Sequence, residues 1–196
     1  MNSVLRKSVL GVAGLAFAGG LAAGPLNHQE PVAVGGVDAV AVAQARSVDE
    51  GRLLPHGEPS GQSRIDLGGE QVENTRAIIA ATKKAGMDER AAVVAIATAL
   101  QESKLENLGH LGDRNDHDSQ GLFQQRPSSG WGTVEQITDP EYSTTAFLRG
   151  LAQVDGWEEM SLTRAAQTVQ VSAFPDHYAQ WEKLAADLVA EHWNES

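Results

Sequence analysis

The stretch Asp88-Glu-Arg-Ala-Ala-Val-Val-Ala-Ile-Ala-Thr-Ala-Leu-Gln-Glu-Ser103 predicts the centre of the fold. Asp88 is a favoured N-cap residue, and an acid in the first turn, Glu89, complements the positive end of the helix dipole. Between residues 91 and 100 only Thr98 is polar, so the helix is apolar on nearly every side. Such a helix is normally buried, and we expect the other elements to pack around it.

Further helical patterns lie on both sides of this stretch. A glycine after two lysines ends the upstream pattern, and an Asp-Pro pair opens the first downstream pattern, as is typical of helix ends and helix starts. No long alternating pattern predicts a strand. The sequence therefore predicts a mainly α, single domain at residues 68–196. Its other helices are expected at residues 70–85, from residue 139 onward, at 161–171 and at 176–193.

Length and composition allow one packed domain with a leader or a tail. The 196-residue chain has 41% hydrophobic residues and no cysteine, which excludes disulfides, a lipid-modified cysteine, thiol catalysis and cysteine-ligated zinc. Its 15 lysines and arginines against 26 aspartates and glutamates give a formal charge of -11, which argues against a nucleic-acid partner. No two of the six histidines have i, i+4 spacing, so no metal site is predicted.

The N-terminus has the order of a secretory signal, because Arg6 and Lys7 precede a long uncharged run rich in alanine, glycine, leucine and valine. We expect residues 1–26 to be a signal peptide or a retained signal anchor, with cleavage as late as residue 45. Prolines and glycines without apolar periodicity then indicate a flexible tether over residues 27–67. The protein is therefore expected to be secreted or associated with the cell wall, and to touch the membrane only through an uncleaved leader.

Glu102 is the candidate catalytic residue. It follows Ala95 and Ala99 at spacings of seven and three residues, so it shares a small-residue face that lets a ligand come close. An apolar neighbourhood and the negative end of the helix dipole both raise the pKa of a carboxyl group, as a general acid near neutral pH requires. The alternative is a solvated glutamate at a helix end, since charged residues are mostly exposed.

The segment from residue 106 to residue 133 is irregular and glycine-rich. So long an irregular segment inside a compact domain is usually functional. We expect Gly121 to let the backbone approach a ligand and Gln124 to offer its amide, while the Leu-Phe pair between them docks onto the core. Trp131 and Tyr142 are equally consistent with stacking on a ligand and with burial in the core.

Three blocks of sequence carry a resemblance: Glu102-Ser103, then Gly121-Leu-Phe-Gln-Gln-Arg-Pro127, then Ala165-Ala-Gln167 with Tyr178 beyond it. Over about residues 88 to 182 the chain resembles the lytic transglycosylase and goose-type lysozyme superfamily, and within it the lysozyme-like domains of exported actinobacterial proteins. That superfamily carries Glu-Ser, then Gly-Leu-Met-Gln-Ile-x-Pro, then a helix with Ala-x-Tyr-Asn-Ala-Gly. This chain has Gln125 at the apolar position, and residues 169–175 lack the Tyr-Asn-Ala-Gly segment.

The resemblance implies a lysozyme-like helical fold that binds a β-1,4-linked amino-sugar chain, with Glu102 as the catalytic acid. Because the Tyr-Asn segment is absent, Gln170, Ser172 and Tyr178 are alternative partners that orient the glutamate. The residues expected at the substrate are Ser103, Gly121, Gln124, Gln125, Trp131, Tyr142, Gln170, Ser172 and Tyr178.

The reaction type depends on a second carboxylate. An inverting hydrolase needs one about 6.5 to 9.5 Å from the acid and a retaining hydrolase one about 5 Å away, whereas the resemblance implies that a lytic transglycosylase needs neither. Asp116 and Asp118 are the nearby candidates. Calcium is a further possibility for the aspartates at 113, 116 and 118, but a solvated loop is favoured because the glycine and the later glutamate of an EF-hand loop are missing.

We therefore expect an exported enzyme that cleaves peptidoglycan at the β-1,4 bond between N-acetylmuramic acid and N-acetylglucosamine, with lytic transglycosylase favoured over hydrolase. It is expected to act as a monomer on glycan strands, without a cofactor or a metal. The alternative is a non-catalytic wall-binding module with the same fold, motivated by the missing segment and the acidic charge. A third class, a metal or solute carrier, rests only on scattered histidines and aspartates.

Overall fold

The computed structural model describes residues 48–112, 115, 117–171 and 176–195. The predicted leader at 1–26 and the first part of the predicted tether lie outside these ranges. So do three residues named above, Asp113, Asp116 and Ser172. In the described ranges, no helix is both long and apolar enough to cross a membrane.

The described part of the chain is mainly α-helical, as the sequence predicts. Its extended pairing consists of one isolated antiparallel bridge between Gln120 and Gln125. Short 3-10 helices join or follow several α-helices, and one of them, His177–Trp181, matters for the site and is called the 177–181 helix below. The α-helices are α1 (Glu50–Leu53), α2 (Gly69–Lys84), α3 (Glu89–Ser103), α4 (Val134–Ile137), α5 (Pro140–Leu151), α6 (Leu162–Gln170) and α7 (Glu182–His192).

Helix α3 is the centre of the fold, which confirms the prediction from its apolar sequence. Asp88 caps it by accepting a hydrogen bond from the backbone N–H of Ala91 at 3.2 Å. Every residue from 91 to 100 is fully buried. Helices α1, α2, α5, α6 and α7 all pack against it. Each of its buried valine, isoleucine and leucine side chains contributes about 1.5 to 3 kcal/mol of transfer free energy, so α3 supplies much of the core.

Local capping signals place several helix ends correctly. The Asp139 side chain accepts a hydrogen bond from the backbone of Tyr142 at 2.7 Å, and Pro140 is the first residue of α5. The stretch predicted as one helix over residues 176–193 instead forms the 177–181 helix followed by α7. The reason is competition for backbone groups, because the N–H of Ala179 donates to the Thr163 hydroxyl of α6 at 3.0 Å.

Residues 48–67, which composition assigns to the tether, lie against the helices. Leu53 and Leu54 are buried in the core, and the carbonyl of Leu53 accepts a hydrogen bond from the Arg90 guanidinium at 2.8 Å. Farther along, the Ser63 backbone N–H donates to the carbonyl of Gln180 at 2.7 Å. The folded part thus begins before residue 68. Sequence periodicity does not detect this segment, because isolated leucines and hydrogen bonds hold it in place.

Candidate active site

Glu102 lies in the last turn of α3 and meets Tyr178 of the 177–181 helix. The Tyr178 hydroxyl donates a hydrogen bond to Glu102 Oε1 at 2.7 Å. Tyr178 is fully buried, whereas Glu102 is only half-buried. The carboxyl group is therefore held from the protein side by a neutral donor while its residue reaches the surface. Of the three proposed orienting partners, Tyr178 makes this contact, while Ser172 lies outside the described residues.

The chain turns sharply just after Glu102. Lys104 and Leu105 have left-handed φ values of 59° and 63°, which is costly for side chains other than glycine. Two side chains of α2 hold this turn, because Gln71 and Asn74 donate to the carbonyls of Lys104 and Leu105 at 2.7 and 2.9 Å. A strained turn fixed from a neighbouring helix gives Glu102 a defined place.

Lys104 adds a positive charge beside the carboxyl group. Its Nζ donates to the α3 carbonyls of Leu100 and Gln101 at 3.0 and 3.3 Å, and it lies 4.8 Å from the ring centroid of Trp181. Burial lowers the pKa of Lys104, and the negative charge of Glu102 partly opposes that lowering. The ammonium group thus caps the negative end of the helix dipole next to the candidate acid.

Ser103 is buried and connects α3 to the glycine-rich segment at residues 106–133, called the glycine-rich loop below. Its hydroxyl lies 2.8 Å from the carbonyl of Leu122 and 3.1 Å from that of Ala99. Leu122 and Phe123 are buried, and the Phe123 ring stacks on Phe147 of α5 with centroids 5.1 Å apart. The expected docking of this Leu-Phe pair is thus observed. Ser103 was predicted to contact substrate, but here its hydroxyl holds the loop.

Gly121 is buried and adopts a φ of 76°. A Cβ at this position would lie 2.0 Å from the carbonyl oxygen of Ile137, so the glycine is required by the close approach of α4. Sequence reasoning gave Gly121 a different role, the close approach of a sugar. Gln124 has a left-handed φ of 47° and donates through its amide to the Gly121 carbonyl at 3.0 Å.

Gln125 and Gln170 make contacts inside the protein. Gln125 is buried, and its amide nitrogen lies 3.4 Å from the carbonyl of Ser143 in α5. Gln170, at the end of α6, donates to the carbonyl of Phe123 at 2.9 Å. Both amides therefore fix the loop, although the sequence suggested contact with substrate. Gln125 therefore faces α5.

Trp131 and Tyr142 are both half-buried, and both adjoin Gly132. Trp131 precedes the glycine in the chain, and the ring of Tyr142 packs against it. A Cβ on Gly132 would come within 3.0 Å of the Tyr142 ring, so the ring packs closely against that backbone. The Trp131 backbone N–H is 3.5 Å from the carbonyl of Arg126, which joins this pair to the end of the loop. Their partial exposure leaves stacking on a sugar as a prediction.

The carboxylate of Asp118 is hydrogen-bonded to another residue of the same loop, Ser128. One of its carboxylate oxygens accepts from the Ser128 N–H and the other from the Ser128 hydroxyl, both at 2.8 Å. The backbone hydrogen bond and then the hydroxyl bond hold the pKa of Asp118 below its usual value. Asp118 is thus a stable anion that caps the 3-10 helix Pro127–Ser129, while Asp116 lies outside the described residues. In the described ranges, no three of the His, Asp and Glu side chains converge in an arrangement suited to a metal ion.

Gln101 was not singled out from the sequence. Its Oε1 accepts hydrogen bonds from Gln180 Nε2 at 3.1 Å and from Trp181 Nε1 at 2.9 Å. Neighbouring residues of α3, Gln101 and Glu102, therefore both dock onto the 177–181 helix. A polar residue at the end of a long apolar run was the available signal, but it did not distinguish Gln101 from a solvated helix end.

Chemically, the arrangement places the carboxyl group of Glu102 against a buried phenol at the end of a buried helix. Such a group can give a proton to a leaving oxygen and take one from an attacking hydroxyl. No family model matches this chain, and no curated protein matches it either. The function is therefore inferred from the side chains and their geometry.

Proposed function

We propose that this protein is an exported muramidase that cleaves the β-1,4 bond between N-acetylmuramic acid and N-acetylglucosamine in peptidoglycan. Lytic transglycosylase chemistry is favoured over hydrolysis. The observation that carries the proposal is the 2.7 Å hydrogen bond from the Tyr178 hydroxyl to Glu102 Oε1. This hydrogen bond fixes the orientation of Glu102, the residue that the sequence motif suggests as the acid.

The surrounding contacts support this assignment. Ser103 ties the loop at residues 121–127 to the end of α3, and Gln170 ties the same loop to α6. Glu102, Ser103, Tyr178 and the loop at residues 121–127 therefore lie close together at the end of α3, which supports the proposal. A lysozyme-like fold, placed outside the cytoplasmic membrane by a leader, is part of the same proposal.

The reaction needs one residue that acts twice. In the first half, the protonated Glu102 carboxyl group gives its proton to the glycosidic oxygen as the bond from C1 of N-acetylmuramic acid breaks, releasing N-acetylglucosamine with a free hydroxyl. In the second half, the Glu102 carboxylate takes the proton of the muramic acid 6-hydroxyl, whose oxygen bonds to C1 and closes a 1,6-anhydro ring. Glu102 ends protonated again, so no water is consumed. Tyr178 supports the intermediate carboxylate with a charge-assisted hydrogen bond.

The hydrogen bonds of Asp118 make it a poor candidate for the second carboxylate of a hydrolase, and the other candidate, Asp116, lies outside the described residues. A hydrolase needs a second carboxylate that directs a water or attacks the sugar. Both oxygens of Asp118 instead accept hydrogen bonds from Ser128. Because both of its oxygens are engaged by Ser128, Asp118 is less available to direct a water or to attack a sugar, which supports the route that needs no second carboxylate.

The test is mass spectrometry of the soluble products after the purified protein meets peptidoglycan sacculi. Glu102→Gln should abolish release while leaving folding and wall binding intact, because it replaces the acid with an amide of the same shape. Glu106→Gln is the matched control, since Glu106 is an exposed acid four residues farther along and should keep full activity.

Each product pattern has a distinct meaning. Chains ending in 1,6-anhydro-N-acetylmuramic acid support a lytic transglycosylase, and reducing ends indicate a hydrolase. Unchanged release by Glu102→Gln would contradict the catalytic role of this residue. Sedimentation of the wild type with sacculi without any release would contradict the enzyme proposal and support the non-catalytic wall-binding module.

A further inference from the structure

The 177–181 helix, which carries Tyr178, has only five residues. A 3-10 helix this short has poor internal hydrogen-bond geometry, so its position depends on contacts made from outside. On one side it contacts Gln101 and Glu102 of α3. On another side it contacts Gln62 and Ser63, two residues of the segment at residues 48–67 that packs against the helices.

Gln62 bridges the joint between the 177–181 helix and α7. Its amide nitrogen donates to the carbonyl of Ala179, and its amide oxygen accepts from the backbone N–H of Lys183, both at 2.8 Å. The first N–H groups of a helix have no partner inside the helix, so this oxygen satisfies a donor at the start of α7. One side chain thus fixes the angle at which the two helices meet.

Ser63 holds the neighbouring residue Gln180 in two places. Its backbone N–H donates to the Gln180 carbonyl, and its hydroxyl donates to Gln180 Oε1, both at 2.7 Å. Because the hydroxyl occupies the amide oxygen of Gln180, the amide nitrogen faces the other way and donates to Gln101 Oε1. A continuous chain of hydrogen bonds therefore runs from Ser63 to the residue beside Glu102.

We propose that Gln62 and Ser63 are positioning residues that hold the 177–181 helix so that the Tyr178 hydroxyl meets Glu102. This inference rests on the proposed function for its catalytic consequence. Its structural half, the placement of Tyr178, stands independently. Both residues are partly buried, so their hydrogen bonds are shielded from water and direct the helix more strongly than exposed ones.

The experiment compares full-length Gln62→Ala and Ser63→Ala with two controls. Arg64→Ala lies on the same segment, but Arg64 is exposed and its contact runs to Asp187 of α7 at 3.5 Å, so it should leave the site unchanged. Ser63→Thr keeps the hydroxyl and should restore what Ser63→Ala loses. Thermal unfolding confirms that each variant is folded. If Gln62→Ala does not fold, the inference is tested with Ser63→Ala, which keeps the backbone hydrogen bond to Gln180.

The first readout needs no activity. The chain has two tyrosines, Tyr142 and Tyr178, so labelling tyrosine with carbon-13 at Cζ gives two NMR signals, and Tyr178→Phe identifies the second. Gln62→Ala and Ser63→Ala should move the Tyr178 signal and leave the Tyr142 signal in place. An unmoved Tyr178 signal in both variants would overturn the inference, even if the wild type proves to be an active enzyme.

The second readout is release of muropeptides. Because small displacements of a catalytic group have large effects, kcat should fall at least about tenfold in both alanine variants while KM stays near the wild-type value. A shifted Tyr178 signal with unchanged kcat would contradict the catalytic half of the inference. An inactive wild type whose Tyr178 signal shifts as expected would overturn the proposed function and leave the placement of Tyr178 supported.

Discussion

The phenol of Tyr178 is a suitable partner for a carboxyl group that must change its protonation state. It is neutral near neutral pH, so it neither repels the protonated acid nor fixes the anion as strongly as a cation would. The ring is fully buried, which limits its motion, and only the hydroxyl faces Glu102. A neutral donor of this kind fixes the orientation of the carboxyl group more than it changes the stability of its charged form.

Removing that hydroxyl should slow the reaction without disturbing the fold. A hydrogen bond to a charged group contributes about 1.5 to 3 kcal/mol. Tyr178→Phe should therefore lower kcat about 10- to 100-fold while KM changes little. Steady-state release of soluble muropeptides measures the effect. Tyr142→Phe is the matched control and should stay near the wild-type rate, whereas an equal loss in both variants would contradict a specific role for Tyr178.

Asp118 allows a prediction about pH. Its hydrogen bonds from Ser128 hold its pKa below the usual value, so it stabilises the fold above about pH 4. That contribution disappears as pH falls through the lowered pKa. Thermal unfolding of the wild type and Asp118→Asn should thus differ near neutral pH and converge in acid. The variant should keep its turnover, and a large loss would indicate a second catalytic carboxylate.

At the scale of elements, the glycine-rich loop connects α3, which carries the candidate acid, to three other helices. Ser103 holds it to α3, Gln170 holds it to α6, and Phe123 stacks on α5. Gly121 adds a fourth fixed point at the carbonyl of Ile137 in α4. A loop fixed at four places holds its position beside the candidate acid.

Substitutions at two glycines of this region distinguish the cost of steric crowding from the cost of a left-handed backbone conformation. Gly121→Ala combines a left-handed φ with a Cβ only 2.0 Å from a backbone oxygen, so it should lower the free energy of unfolding by about 3 kcal/mol. Gly130 has a φ of 85° with open space around it, and Gly130→Ala should cost about 1 kcal/mol. Denaturant unfolding measures both, and equal losses would contradict the role of crowding.

Sequence reasoning succeeded where a local signal and a buried face agreed. The cap at Asp88 and the apolar run after it predicted α3, and the Asp-Pro pair at residue 139 predicted the start of α5. It failed for the 177–181 helix, because the backbone there bonds to Thr163 and Gln62 instead of continuing α7. Contacts between distant segments leave no periodic pattern.

The same distinction applies to the candidate site. The position of Glu102 at the end of a buried helix was predictable, while its catalytic role stays a proposal, and Tyr178 was one of three candidates for its partner. The structural roles of Ser103 and Gly121 were not predictable, since one depends on the carbonyl of Leu122 and the other on that of Ile137. A sequence motif names residues that belong together without saying which of them contact substrate and which hold the others.

At the scale of the whole molecule, a buried ion pair joins the two ends of the folded part. Arg90 Nη1 lies 2.7 Å from Glu182 of α7 and also donates to the carbonyl of Leu53 in α1. The two side chains are only 4% and 7% exposed, so water cannot replace a missing partner. The pair therefore links α1, α3 and α7 at one buried point.

Breaking this pair should cost far more than removing it. Glu182→Gln leaves a buried guanidinium without its counter-ion and should lower the free energy of unfolding by about 3 to 5 kcal/mol. The double variant Arg90→Met with Glu182→Leu should lie closer to the wild type. Asp187→Asn, which breaks the solvent-accessible pairs with Arg64 and Lys183, should cost at most about 1 kcal/mol. Chemical denaturation ranks the three, and an order that places the double variant lowest would contradict this account.

The hydrogen bonds around Tyr178 also set the order in which the protein acquires its parts. Glu102 and Tyr178 are 76 residues apart, and Ser63 and Gln180 are 117 apart. Contacts across such separations require the closure of long loops and form late in folding. A nascent chain that has not yet reached residue 178 contains the acid without the phenol that directs it. In the proposed enzyme, catalytic competence would then follow only after the 177–181 helix has packed against α3.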